Sequence, residues 1–415
     1  MQSSKTLLLV LSLSLALVSF GQQSLKGKIV EAGTQKPIAG ASVFISNTSI
    51  GTVSNSKGEF EITQLPSKEF ELVVSFIGYE AYVQHIAGPQ QTPLLIALQQ
   101  KANELQDVVV STYEKDGWKK WGDFFLSAFI GTSAYAKDCV IKNYKTIRFK
   151  YSKKNNFISA HASEPLIIEN KALGYHLKYE LIHFSYDFNS KYLMYAGYPF
   201  FTEMQGNKRR IRKWKENREE AYTGSMMHFM RAMYRNTVDK AGFEMRRLEK
   251  KPNLEKQRVK ALYQYYTKFS VDPKGNNLSV STIDVQVPKD SMTYYEKVLR
   301  EKDVIEILHT ELVHADSIAY GEDSVTAVMD FKDYLLITYP AKQEQPEYYQ
   351  DRLLEQRDPY ITSAICLINN IPVKIQSNGS YNNPVDLIST GYWSWSEKIA
   401  TMLPFDYKPS TSNRE

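Results

Sequence analysis

The chain has 415 residues, of which 43% are hydrophobic and 23% charged, with a net charge of +5 and two cysteines. This is ordinary globular usage; it excludes a disulfide scaffold, and the small positive balance does not by itself argue for a nucleic-acid partner. Aromatic residues reach 13%, with 28 Tyr, which favours strands over helices.

Residues 1–21 read as a secretory signal, with Lys5 ahead of an apolar run over 6–20 and Ser19-Phe20-Gly21 at the cleavage positions. The run is about 15 residues, short of the ~20 that a spanning helix needs. No Cys follows it, so a lipid-anchored form is not expected, and the mature chain is expected to begin at Gln22. An uncleaved anchor is the alternative. Loss of Lys5 lowers the net charge from +5 to +4. No later run has the length of a transmembrane span. The protein is therefore expected to be exported, to the periplasm, the outer-membrane surface or the extracellular space.

Residues 22–100 carry a period-two pattern. Phe70, Leu72, Val74 and Phe76 share a face, with Glu69, Glu71 and Ser75 among the intervening positions. Leu94, Ile96 and Leu98 repeat this, as do Phe60 and Ile62. Gly33, Gly40, Gly51, Gly58, Pro66, Gly78 and Gly88-Pro89 separate the runs, and no helical period intervenes. The pattern predicts an antiparallel β-sandwich rather than a parallel sheet.

The runs Gly27-Lys28-Ile29-Val30, Pro37-Ile38-Ala39-Gly40-Ala41-Ser42-Val43, Gly51-Thr52 and Gly58-Glu59-Phe60 resemble the carboxypeptidase-like regulatory domain. The resemblance implies a prealbumin-like, seven-stranded Greek-key sandwich, common at the start of envelope proteins of the Bacteroidetes. It implies no chemistry, because that family is named for a domain appended to a peptidase. Where the family often has Asp in a turn, this chain has Asn55.

Residues 101–116 read as a linker. Within it, Leu105-Gln106-Asp107-Val108-Val109-Val110 resembles the segment that joins this sandwich to the plug of TonB-dependent receptors. The remaining chain is too short for a receptor barrel of about 22 strands and lacks its alternation, so no barrel is expected.

Residues 117–408 are expected to form a larger antiparallel α+β domain of unknown function, followed by a polar tail over 409–415. Trp118, Trp121, Phe124, Phe125, Phe129 and Ile130 predict a helix ending at Gly131, either docked on the downstream strands or lying on a membrane. Strands are expected over 146–151, 157–160, 166–169, 172–186 and 192–198. One long helix is expected next, its stripe made by Tyr222, Met226, Phe229, Met230 and Met233 and extended upstream by Ile211 and Trp214. Further strands are expected over 269–271, 278–287, 304–317, 324–329 and 334–339. Residues 341–357 read as a loop or exposed helix. Residues 361–367 and 373–376 are expected to pair, and Ser394 with Glu397 to form a capping box before a short helix.

Cys139 and Cys366 allow one disulfide, but both lie in apolar settings that favour separate buried thiols. His161-Ala162-Ser163-Glu164, with a later His309 or His314, has the ligand order of zinc carboxypeptidases and supports a zinc-dependent hydrolase as the alternative function. Against it stand the leading position of the sandwich, the antiparallel pattern and the lack of an Asn-Arg pair for a substrate carboxylate. His309 and His314 are five apart, so on a strand they face opposite ways; His176 and His183, seven apart, do the same.

Charge is the stronger anomaly. Lys208, Arg209, Arg210, Arg212, Lys213, Lys215 and Arg218 crowd one end of the long helix, followed by Arg231, Arg235, Arg246, Arg247, Lys250 and Lys251. They read either as a docking site for an anionic partner, a lipopolysaccharide or acidic glycan, or as a solvated face with pairs such as Arg212–Glu216 and Lys215–Glu219. The segment over 218–236 is similar to one in longer Bacteroidetes proteins that carry the sandwich, and His228, Arg231 and Arg235 are candidates for a polar cluster near the core. The leading expectation is a non-catalytic envelope binding or scaffold component. It needs no cofactor, no catalytic residues and no transmembrane span, and takes an envelope protein or anionic glycan, not nucleic acid, as partner.

Overall fold

The computed structural model of the chain describes residues 24–66, 69–88, 92–101, 113–271, 278–282, 289–349, 359–382 and 384–410. The signal-sequence reading, most of the 101–116 linker and the end of the polar tail lie outside these residues. The chain forms two units: one from residues 1–225, 345–355 and 395–415, the other from 226–344 and 356–394.

The first unit begins with seven strands: β1 (Leu25–Glu31), β2 (Ser42–Ile45), β3 (Gly51–Val53), β4 (Glu59–Ile62), β5 (Glu69–Ser75), β6 (Tyr82–Ala87) and β7 (Leu94–Leu98). They form two sheets, β4-β1-β7 and β3-β2-β5-β6. Ile29, Val43, Leu72, Val74 and Ile96 are among the side chains buried between them, as the alternation predicts. The sandwich is not wholly antiparallel, however: β1 and β7 run parallel, Ile29 facing Ile96. β7 arrives from β6 on the opposite sheet, so no hairpin constrains its direction. At the Asn55 turn the side-chain Oδ1 accepts from Lys57 N and Glu59 N, and Gly58 takes φ +76.

Helix α1 (Gly117–Phe129) comes next, burying Phe125 and Phe129. Strands β8 (Cys139–Ile141), β9 (Ile147–Ser152), β10 (Phe157–Ala162), β11 (Leu166–Asn170), β12 (Tyr175–Asp187) and β13 (Tyr192–Glu203) form one antiparallel sheet. β12 is its spine. It pairs with β13 along its whole length, and on its other side with β11 in its first half and β10 in its second. Phe125 packs on Phe184 with ring centroids 4.7 Å apart, so α1 docks on this sheet.

The sandwich packs against the same sheet. Phe44 points away from the sandwich core and stacks on Phe200 of β13 at 5.0 Å. Asn47 N donates to Pro199 O and Phe201 N donates to Thr48 O, so the loop after β2 pairs with the edge of β13. Ser75 hydrogen-bonds Glu180, and Lys178 Nζ donates to Ser42 Oγ at 3.0 Å.

The expected long helix is two. α2 (Lys208–Tyr222) closes the first unit's main run, and α3 (Met226–Tyr234) opens the second unit. Thr223 is extended and Gly224 has φ +77, a conformation only Gly adopts freely, and this ends α2.

The second unit continues with β14 (Glu244–Pro252), α4 (Leu254–Tyr266), β15 (Thr267–Val271), β16 (Leu278–Thr282), α5 (Lys289–Arg300), β17 (Val304–Leu312), β18 (Ala319–Asp323), β19 (Thr326–Met329), β20 (Tyr334–Gln343), β21 (Tyr360–Leu367), β22 (Val373–Gln376) and β23 (Leu387–Gly391). The main sheet is β17-β14-β20-β21-β23, beside a small sheet β18-β19-β22 and the hairpin β15-β16. β14, α4 and α5 are not foreseen by the pattern. β21 and β22 do not pair with each other, since β21 joins β20 and β23 while β22 joins β19. Nor does Ser394 cap a helix: it lies inside Tyr392–Ser396, and its hydroxyl donates to Gly391 O.

Candidate functional site

α2 is held by its inner face with unusual specificity. Trp214 Nε1 donates to Lys171 O at 2.9 Å, Asn217 Nδ2 to Ala172 O at 2.7 Å, Arg218 Nε to Leu173 O at 2.7 Å and Arg218 Nη2 to Gly174 O at 3.2 Å. Four side-chain donors thus meet four consecutive carbonyls of the turn between β11 and β12. Arg218 is buried, also donates to Glu203 at 2.6 Å, and stacks on Tyr175 with its guanidinium carbon 3.9 Å from the ring centroid. It is a structural residue, not a surface cation.

The other cations of α2 face outward. Lys208, Arg209, Arg210, Arg212, Lys213 and Lys215 are all exposed. Arg212 and Lys213 both approach Glu216 at 3.8 Å. Lys208, Arg209, Arg210 and Lys215 make no ion pair among the described residues. Glu219, expected to pair with Lys215, accepts instead from the Tyr407 hydroxyl at 3.0 Å and Ser410 N at 2.9 Å. The first turn contains no acid, so three cations stand where the helix dipole is least favourable to them. Asn207 caps the turn by accepting from Arg210 N.

The downstream cations belong to the second unit and are mostly neutralised. On β14, Arg246 pairs with Glu244 at 2.8 Å, Arg247 with Asp333 at 2.7 Å, Lys250 with Glu306 at 3.2 Å and Lys251 with Glu249 at 2.6 Å. Lys251 and His309 together pull the Glu249 carboxyl down to about 2. His228 is buried with its ring 4.9 Å from Phe243 and 5.8 Å from Tyr339. Arg231 is buried and donates to Asn378 O at 2.9 Å, whereas Arg235 is exposed. His228 and Arg231 share α3, and both are engaged in the packing of the second unit.

His161 and Glu164 are both exposed, one on β10 and the other in the turn after it. His309 belongs to the second unit, 2.9 Å from Glu249, and His314 lies 3.2 Å from Asp239. Among the described residues no three His, Cys, Asp or Glu side chains gather as a metal site. Cys139 and Cys366 are free thiols, and burial pushes Cys139 up to about 12. A cleft of about 400 Å³ opens beside the start of α1, lined among others by Trp118, Ile147, Phe149, Glu114, Lys145 and Arg148. Its charges are mixed, and Arg148 spends its Nη1 on Lys145 O at 2.6 Å.

With this geometry in place, comparison with known proteins identifies the leading domain. Residues 25–110 match the model of the CarboxypepD_reg-like domain. The sandwich is therefore a carboxypeptidase-like regulatory domain, a non-catalytic Ig-like fold. The TonB-dependent receptor SusC of Bacteroides thetaiotaomicron is 33% identical over 112 residues, 26% of this chain and 10% of the receptor. The chain thus spans about a tenth of that curated relative's length. Among solved structures, two interface mutants of a type II cohesin–X-dockerin complex from Acetivibrio cellulolyticus are 19% and 24% identical. They cover 18% and 19% of this chain and 51% and 58% of theirs, each with a TM-score of 0.15. No helix of the described residues is long and apolar enough to cross a membrane.

Proposed function

We propose that the chain is an exported, non-catalytic component of the cell envelope that presents α2 to an anionic partner, a lipopolysaccharide or an acidic glycan. A non-catalytic leading domain shared with an envelope receptor supports the location and the absence of chemistry. The observation that carries the binding role is the division of α2 into two faces. One is locked to four successive carbonyls; the other displays six cations, four of which make no ion pair among the described residues. A helix anchored this way presents its charges at fixed positions, which lowers the entropy lost on binding.

Immobilised heparin provides the test. The wild-type chain is expected to be retained and to elute with salt, since exposed charges are screened beyond about 10 Å at 0.1 M. Arg209→Ala/Arg210→Ala/Arg212→Ala should elute at clearly lower salt, while Arg246→Ala/Arg247→Ala should elute close to wild type. Equal retention of the triple variant and the wild type would remove α2 from the binding surface. Vesicles with and without lipopolysaccharide then separate a lipid source of the anion from a glycan.

A further inference from the structure

β17 is the outermost strand of the second unit's main sheet and pairs only with β14. Its other edge is unpaired among the described residues. Its side chains are also uncovered: Val304 is 40% exposed, Ile305 48%, Ile307 39%, Leu308 48% and Leu312 49%. Edge strands are usually protected by Lys, Pro or an early bulge. Between Val304 and Leu308 β17 has none of these, and its one charge is that of Glu306. The only irregularity comes later, where three residues of β17, 309–311, stand opposite one of β14 between the pairs Leu308–Leu248 and Leu312–Arg246. The regular open edge is therefore Val304-Ile305-Glu306-Ile307-Leu308, apolar on both faces with one acid at its centre.

That symmetry decides what can pair with it. An antiparallel second copy overlapping the whole stretch would set Glu306 directly against its own mate, and like charges opposed across strands are destabilising. Sliding the copy by two residues, the least that keeps faces matched, sets Glu306 against Leu308 or Val304 instead. An antiparallel second copy in these registers therefore either opposes two acids or leaves Glu306 against an aliphatic side chain, with no cation to meet it. Glu306 already receives Lys250 from β14 at 3.2 Å through one carboxylate oxygen, and no partner of its other oxygen occurs among the described residues.

We infer that β17 is a docking edge for an extended segment of a partner protein, added as a further strand, whose five paired residues read apolar-apolar-Lys/Arg-apolar-apolar. The backbone of the incoming strand supplies the hydrogen bonds, and its side chains set the specificity. Its central cation meets the free oxygen of Glu306, and its flanking residues cover Val304, Ile305, Ile307 and Leu308. Because the pattern is the same read from either end, it applies to parallel and antiparallel arrival alike.

Selection of a random twelve-residue phage-displayed library on the purified full chain tests this. Enriched peptides should share the five-residue pattern. The double variant Glu306→Lys/Lys250→Glu keeps the ion pair inside the sheet but reverses the charge offered at the edge. It should select Asp or Glu at the central position and bind the original peptide at least tenfold more weakly. Circular dichroism and melting of this variant, unchanged from wild type, separate lost recognition from lost folding; if it is unfolded, Ile307→Asp takes its place and should weaken the same peptide at least tenfold. Enrichment of no common pattern, or of the same pattern on wild type and charge-reversed chains, would overturn the inference. So would a concentration-dependent dimer abolished by Leu308→Lys, which would make the occupant a second copy.

Discussion

Lys398 lies over the Tyr195 ring, 5.7 Å from its centroid, and burial draws its ammonium down to about 8, offset only in part by the neighbouring Glu397. Below pH 8 the group is charged in the folded and unfolded chains alike, and the folded state bears the full desolvation cost. Between about 8 and the ordinary lysine value of ~10.4, the unfolded chain holds a proton that the folded chain has released. The unfolded state then binds more protons, so stability contributed by this group rises with pH. Lys398→Met removes the cost at every pH. The advantage of that variant over wild type is therefore expected to shrink by up to about 3 kcal/mol from pH 7.5 to 10.5. Urea unfolding of both proteins at three pH values measures it; a constant difference would mean that the ammonium stays solvated. Nothing in the sequence marks Lys398 as half-buried, since a lone lysine after an acid reads as surface. Arg218 is concealed for the same reason. It sits in a run of cations and acids, and only its spacing of four from Trp214 and from Tyr222 hints that it belongs to the inner stripe.

At the scale of the element, the seating of α2 depends on glycine as much as on donors. A Cβ on Gly174 would fall 2.2 Å from Trp214 Cδ2, and the backbone there has φ +72. A Cβ on Gly206 would come within 2.7 Å of the same ring. Gly174→Ala must therefore displace the indole and strain the turn whose carbonyls receive the helix. A loss of about 2–4 kcal/mol is expected from chemical unfolding, as for other strained or overpacked positions. Heparin retention should fall with it if α2 loosens locally, which ties the basic face to its anchor. The helix boundaries show what a periodic pattern can and cannot reveal. The stripe Tyr222, Met226, Phe229, Met230 and Met233 is continuous at helical spacing, yet Gly224 interrupts it, and one residue's freedom at positive φ outweighs the register of five apolar neighbours. α4 and α5 escape notice for the opposite reason: they offer a thin apolar stripe, with Val259 and Val298 among its buried residues, and a thin stripe carries little periodic signal.

At the scale of the whole molecule, the leading domain raises a question of attachment. Its fold is legible because alternation, turn glycines and the Asn55 turn agree at each step. The reading of a small module followed by a linker implies a tethered domain, whereas the described contacts seat it on the β12–β13 sheet. A trace of this was present in the chain: Val43-Phe44-Ile45 and Leu72-Val73-Val74 are continuous apolar runs, and all six residues are buried. Such runs mark strands covered on both faces, one by the sandwich core and the other by something beyond it. Phe44 and Val73 are the outward members, and Phe44 meets Phe200 at 5.0 Å with an interplanar angle of 30°. Gly51 allows this approach, since a Cβ there would lie 2.7 Å from the Phe200 ring. A double-mutant cycle between Phe44→Ala and Phe200→Ala measures how firmly the two parts are joined. Stacked aromatic pairs couple by about 0.5–1.5 kcal/mol, so a coupling near 1 kcal/mol is expected from the unfolding free energies of the four proteins. A module that merely hangs from a linker would show no coupling, and each substitution would then act on its own part alone. Coupling of the expected size would make the sandwich a fixed wall of the first unit, so that whatever docks on it is placed at a set distance and angle from the basic face of α2.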